Sequence, residues 1–222
     1  MLTNEVEGAD CTELFKAAYK NRYTWEPDFP GYEGSCSWTD GKKETKGIFC
    51  LGKDLKVTVK EIDDEQIQKS IASQLWEVGI HRVRRSFEQT HGKNTFILGD
   101  TNEIGSEILV GGKNEGDKYR VKNDIVTMVY RHIHGNLIVI ITKDVTHTGK
   151  GYLSRNYSSQ YIDPISKKEL KGKSFYKDDF IPLSQDGPWV LASRCIHQES
   201  FEGAIINKQI FSFSQLKSLG ST

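Results

Sequence analysis

The chain has 222 residues, 36% hydrophobic and 27% charged, with 30 Lys and Arg balanced by 30 Asp and Glu. This composition describes a folded domain with a real core, large enough to need no disulfide or metal staple. Zero formal charge lacks the basic excess of a dedicated nucleic-acid binder and gives no long-range attraction to anionic membranes.

The first residues, "MLTNEVEGADCTELF", carry acidic side chains and lack the apolar run of a secretory signal. The longest apolar run, "LIVII" at 137–141, is strand-sized and far short of a membrane span. Cys11, Cys36, Cys50 and Cys195 show no C-x-x-C spacing, so they read as reduced, mostly buried thiols rather than metal ligands. A cytosolic protein is the resulting expectation.

In chain order, "DCTELFKAAYKNR" predicts a helix. Asp10 and Glu13 have capping-box spacing, and Leu14, Phe15, Ala17 and Ala18 give an apolar face. Residues 22–32, "RYTWEPDFPGY", follow. They concentrate Tyr23, Trp25, Phe29 and Tyr32 around Pro27 and Pro30. Rings this large are costly to leave in water, and the prolines stiffen the segment. It reads as a rigid connection closing one open end of a sheet, or as the lip of an apolar pocket.

Strands are predicted at 34–39, 46–52 and 55–62, the first two joined by the Asp-Gly turn of "TDGKK". A long helix is predicted over 63–85. Acidic residues crowd its start, Arg82, Arg84 and Arg85 its end, and Ile67, Ile71, Leu75 and Val78 form a buried stripe. From residue 94 the pattern is nearly all strand: "NTFILGD", "SEILVGG", "KYRVK", then "DIVTMVYRHI" and "NLIVIITKDV" as a hairpin. "GYLSRNYSSQYIDP" passes from strand to loop, and "PWVLASRCIHQES" is a strand. The tail from residue 200 suits a strand, a docked arm or a helix starting near Ser214. The sum is an α+β fold over a single domain, residues 1–222. It is a curved, mainly antiparallel sheet, an open half barrel, wrapped around the long 63–85 helix.

The chemical signals are weak. His132 and His134 share a strand face, an arrangement that can hold a metal, but no carboxylate pattern accompanies them and an exposed hairpin pair reads equally well. "THTGKG" lacks the order of a phosphate loop, and no G-x-S-x-G elbow is present. Arg82 and Arg85, at i, i+3 spacing on a helix, could clamp a carboxylate or phosphate; complementing the helix dipole is the plainer reading.

Several separate stretches carry a family resemblance: "LFKAAYKNRYTWEPDFPGY", "SQLWEVGIHRVRRSFEQTHG", "GDKYRVKNDIVTMVYRHIHG" and "HTGKGYLSRNYSSQYIDP". Over roughly residues 12 to 198 the chain resembles an uncharacterised family of cyanobacteria and photosynthetic eukaryotes, domain of unknown function 3386. The resemblance implies a cyanobacterial-type cytosol, or a plastid stroma in a relative, and carries no known activity. The element order also resembles the lipoprotein-carrier type of half barrel, a fold-level analogy.

The expectation is a non-catalytic binding or assembly protein of a photosynthetic organism, holding an apolar ligand such as a lipid or pigment, or a protein client. Its candidate ligand-binding residues are Tyr23, Trp25, Phe29, Tyr32, Arg82 and Arg85. No cofactor, metal, nucleic acid or membrane span is expected. The alternative is a small barrel enzyme using polar residues such as His132, His134 and Asp144 on a concave face.

Overall fold

The protein is described by a computed structural model covering residues 3–133 and 135–220. Its helices are α1 (Thr3–Lys20), α2 (Glu65–Ile80) and α3 (Phe87–His91). Its strands are β1 (Gly31–Thr39), β2 (Glu44–Gly52), β3 (Val57–Lys60), β4 (Asn94–Asn102), β5 (Gly105–Gly112) and β6 (Lys118–Lys122). They continue with β7 (Ile125–Ile133), β8 (Asn136–His147), β9 (Tyr152–Ile162), β10 (Ser174–Pro182), β11 (Trp189–Glu199) and β12 (Ile205–Ser218). The strand order is β3-β2-β1-β12-β11-β10-β9-β8-β7-β6-β5-β4.

The expected sheet wrapped around one long helix is therefore corrected to a twelve-stranded antiparallel sheet with three short helices. The predicted 63–85 helix shrinks to 16 residues. Its start is where the acidic cluster put it: Asp64 is the N-cap, and its carboxylate accepts the Gln66 and Ile67 amides at 3.0 and 3.3 Å. Its end comes earlier. The Arg82 amide turns back to the Gly79 carbonyl at 2.8 Å, and the Arg82 carbonyl accepts the Trp25 amide at 2.8 Å. The basic run thus lies beyond the helix, whose last turn holds no basic residue.

Asp10 also sits inside α1 rather than capping it. The hairpin predicted at "TDGKK" is present, with Thr39 paired to Glu44, and the two runs predicted as a hairpin around Gly135 pair from Ile133 and Asn136. The undecided tail is a strand, β12, paired with β1.

The chain forms two compact units. The first comprises the residues up to Tyr23, Arg85–Phe175 and Glu199–Ala204. Its core sets Cys11, Phe15, Ala18 and Tyr19 of α1 against Phe87, Phe96, Ile108, Val110, Tyr119 and Val121. The second comprises Thr24–Arg84, Tyr176–Gln198 and the residues from Ile205 onward. Here α2 buries Ile67, Ile71, Leu75 and Val78 at i, i+4, i+8 and i+11, the stripe read from the sequence. Phe49, Leu51, Val190, Leu191, Phe211 and Phe213 are buried in the same unit. Each such side chain contributes roughly 1.5–3 kcal/mol of burial.

Candidate functional site

From Thr24 onward the ring-rich stretch is a scaffold in the second unit. Trp25 is 7% and Tyr32 1% exposed. The Trp25 ring lies 4.9 Å from Phe29 and 6.2 Å from Tyr32, and Tyr32 meets Phe49 edge-on at 5.4 Å. The indole Nε1 donates to the Trp189 carbonyl at 2.9 Å. Burial pushes the Tyr32 hydroxyl pKa well up, against a hydrogen bond to Leu191 and the nearby Arg194 charge.

The other predicted site residues are spread between the units. Tyr23 belongs to the first, where its amide donates to the Tyr152 carbonyl at 2.9 Å. Arg82 belongs to the second, its guanidinium 6.0 Å from the Phe180 ring centre. Arg85 belongs to the first, where its carbonyl accepts from Tyr19 at 3.2 Å. With α2 ending at Ile80, helical i, i+3 spacing does not apply to the two arginines.

A groove that the sequence reading missed lies between α2 and the β2–β3 turn. Asp54, Leu55, Lys56, Val57, Lys69, Ala72, Ser73 and Trp76 line about 540 Å³ of open space. Residues 69, 72, 73 and 76 fall on one α2 stripe by i, i+3, i+4 and i+7 spacing, away from the buried stripe. Trp76 leaves 49% of its surface exposed there.

The turn opposite is stiffly built. Leu55 takes φ +65°, its amide donates to Gly52 at 2.9 Å, and the Asp54 carboxylate accepts the Lys56 amide at 3.0 Å. The groove thus combines an indole and small aliphatic groups with two ammonium groups and the Asp54 carboxylate. Lys69 is also paired to Glu65 at 3.5 Å. The missed signal was a tryptophan on the polar side of an amphipathic helix.

The other side of α2 is clamped by a buried charge cluster. Arg194 (β11) and Asp178 (β10) are each 2% exposed and bond in parallel, Nε to Oδ1 at 2.8 Å and Nη2 to Oδ2 at 2.7 Å. Arg194 Nη1 donates to Gln74 at 3.0 Å and Glu77 at 3.1 Å, both on α2. The guanidinium also lies 5.4 Å from the Tyr176 ring centre. These bonds fix α2 in rotation, and with it the outward aim of Trp76.

Of the alternative enzyme residues, His132 and Asp144 lie in the first unit. The His132 ring Nδ1 is 3.1 Å from the buried Asp117 carboxylate. Asp144 accepts from Asn156 at 3.1 Å, and His134 lies outside the described residues. His132 pairs with Leu137 of β8. Asp144 is seven positions further along that strand, about 23 Å at the usual rise. The two therefore do not converge. Among the described residues, no group of three His, Cys, Asp or Glu is arranged to hold a metal ion, and no helix is long and apolar enough to cross a membrane.

His91, unremarked in the sequence, sits in a box of rings formed by Phe15, Tyr19, Phe87, Phe96 and Tyr119, at centroid distances of 5.0 to 6.1 Å. Burial, then the Arg131 and Arg22 charges, lower its pKa to about 4 against the opposing pull of Asp117.

Two solved structures run along most of the chain at low similarity. A DUF1329 family protein from Desulfovibrio piger is 11% identical with a TM-score of 0.31, covering 96% of this chain and 94% of its own. A LolA superfamily protein from Nitrosomonas europaea is 7% identical with a TM-score of 0.32, covering 94% and 93%. At these scores neither likeness bears on function here. No curated protein matches the chain. Residues 6–219 match the family described as "Protein of unknown function (DUF3386)", so the chain belongs to that family.

Proposed function

We propose that the protein is a non-catalytic binding protein whose ligand lays an apolar body along the α2–β3 groove. The observation that carries this reading is Trp76, half exposed beside Leu55, Val57 and Ala72 over about 540 Å³, a volume suited to a small molecule. An exposed indole held on a clamped helix loses little entropy when covered. Lys56 and Lys69 outnumber the single carboxylate, Asp54, at the same groove, which favours a ligand with an anionic end, such as a lipid carboxylate. In a cyanobacterial cytosol or plastid stroma, which the family resemblance suggests, a lipid or pigment of that kind is the ligand class, with a protein client as the competing occupant.

The test is titration with oleate and with the amphipathic anion anilinonaphthalene sulfonate, read by tryptophan and dye fluorescence. Saturable binding that Trp76→Ala weakens roughly tenfold or more is expected. Saturable binding that Trp76→Ala leaves untouched would move the site elsewhere. No binding of either probe at millimolar concentration ends the small-ligand reading.

A further inference from the structure

Apart from Ile97 and Leu98 on β4, the exposed large apolar side chains described in the first unit gather at one end of its strands. In the antiparallel run from β4 to β9, the β5–β6, β7–β8 and β9–β10 connections fall at that end. Ile133 closes β7 there, Tyr161 lies at the end of β9, and Ile165 and Leu170 stand in the β9–β10 connection. The 200–204 turn reaches the same place, because the Glu199 amide donates to the Lys173 carbonyl at 2.9 Å. That turn carries Phe201. Ile165 is 91% and Phe201 67% exposed.

These side chains project from built turns. The Asp163 carboxylate accepts the Ile165 and Ser166 amides at 3.0 and 2.6 Å. The Asp163 amide donates to Lys168 at 2.8 Å and the Leu170 amide to Tyr161 at 2.9 Å. The β9–β10 connection also carries Lys167, Lys168, Lys171 and Lys173 against Asp163 and Glu169. Lys171 leans over the Tyr161 ring at 5.7 Å. Glu199 and Glu202 lie on the neighbouring turn, so the cationic excess is confined to the stretch around Ile165 and Leu170.

We propose that this end of the first unit docks on the surface of a lipid bilayer. Ile165 and Phe201 enter the boundary between headgroups and acyl chains, and the four lysines meet anionic headgroups. Apolar tips ringed by lysines fit a bilayer, where long stems lie along apolar material and their ammonium groups stay in the headgroup layer. They fit a protein interface poorly, because lysine is depleted at such centres. The chain's zero net charge does not oppose this, since headgroup attraction acts within a Debye length and so on the local excess. The inference is separate from the groove, which belongs to the other unit.

Vesicle co-sedimentation tests it, using phosphatidylcholine alone and with about a third phosphatidylglycerol at low salt. The full chain is expected to bind the anionic vesicles, and the neutral ones several-fold more weakly. Ile165→Glu should lower binding to both roughly tenfold or more. Lys167→Glu with Lys168→Glu should lower it to a similar degree, roughly tenfold, on anionic vesicles only. Circular dichroism will confirm that these surface variants are folded. The proposal is overturned if the unaltered chain binds neither vesicle at millimolar lipid, or if the variants bind as it does. It is equally overturned if the chain self-associates without lipid and Ile165→Glu abolishes that, which would make this end a protein interface.

Discussion

Replacing His91 by Phe should remove a defined acid sensitivity from the first unit. The imidazole is 7% exposed inside a box of five rings. The amide nitrogen of Asn94, 3.3 Å from Nδ1, can only donate, so Nδ1 accepts and the neutral ring carries its proton on Nε2. Protonation would put a cation among these rings with Arg131 and Arg22 nearby, and the pKa falls to about 4. An unfolded His titrates near 6.5.

The sign follows from proton counting. Between those values the unfolded chain binds more protons, so the contribution of His91 is full above pH 6.5 and is lost as pH falls toward 4. With these two pKa values the loss is about 1 kcal/mol at pH 5.5 and roughly 2–3 kcal/mol at pH 4.5. Urea unfolding of both proteins at about pH 7.5, 5.5 and 4.5 measures it. Carboxylates held low in the folded state, such as Asp163 by the Ser166 and Ile165 bonds, lose stability in both proteins and cancel in the difference. The His91→Phe variant should gain on the parent progressively as pH falls. Parallel pH curves for the two proteins would refute the reasoning, whatever their offset at neutral pH.

Three further outcomes follow from the same geometry. Arg194→Met takes the bidentate cation away from the buried Asp178 carboxylate and should cost roughly 3–5 kcal/mol, whereas Arg194→Met combined with Asp178→Leu should recover much of it in thermal or urea unfolding. Gly151 holds φ +136°, and a Cβ there would stand 2.6 Å from the Asn21 carbonyl oxygen and 2.9 Å from the Tyr23 amide. Gly151→Ala should therefore lower the melting temperature measurably, by an energy on the order of 1–3 kcal/mol. Burial pushes the Cys36 thiol up to about 11 and raises Cys11 as well, so in the folded protein both should react with a thiol reagent far more slowly than after denaturation.

Elements whose residues agree locally with their final state were readable in advance. The β7–β8 hairpin announces itself by two β-branched runs around Gly135, which takes φ +78°. The buried stripe of α2 follows from spacing alone. Strand β10 was missed because "YKDD" reads as polar loop; the 2% exposed Asp178 is paired there with Arg194, sixteen residues away, which no local pattern reports. The capped turn of α3 was hidden inside a basic run. Its capping box, Ser86 with Gln89, stabilises five residues whose Phe87 and His91 face the α1 core. The length of α2 was overestimated because the arginines after it have high helix propensity, while the backbone there is taken up by Trp25. The groove escaped notice for a related reason: it needs the β2–β3 turn and one side of α2 together, and no local period reports that.

The ring-rich stretch and the groove are connected through α2. Trp25 bonds by its amide to Arg82, just past the helix end, and by its indole to Trp189. A Cβ on Gly79 would lie 3.7 Å from the Trp25 ring, so the ring rests on the last turn of α2 where the helix presents no side chain. Arg194 holds the middle of the helix through Gln74 and Glu77, and Asp64 fixes its start. Three anchors along 16 residues leave α2 little freedom to roll. A rolled helix would bring the buried Ile67, Ile71, Leu75 and Val78 into water, so burial and these bonds act together to keep Trp76 on the outward side. Trp76 is therefore held on the solvent side of α2, the position that the proposed groove ligand requires.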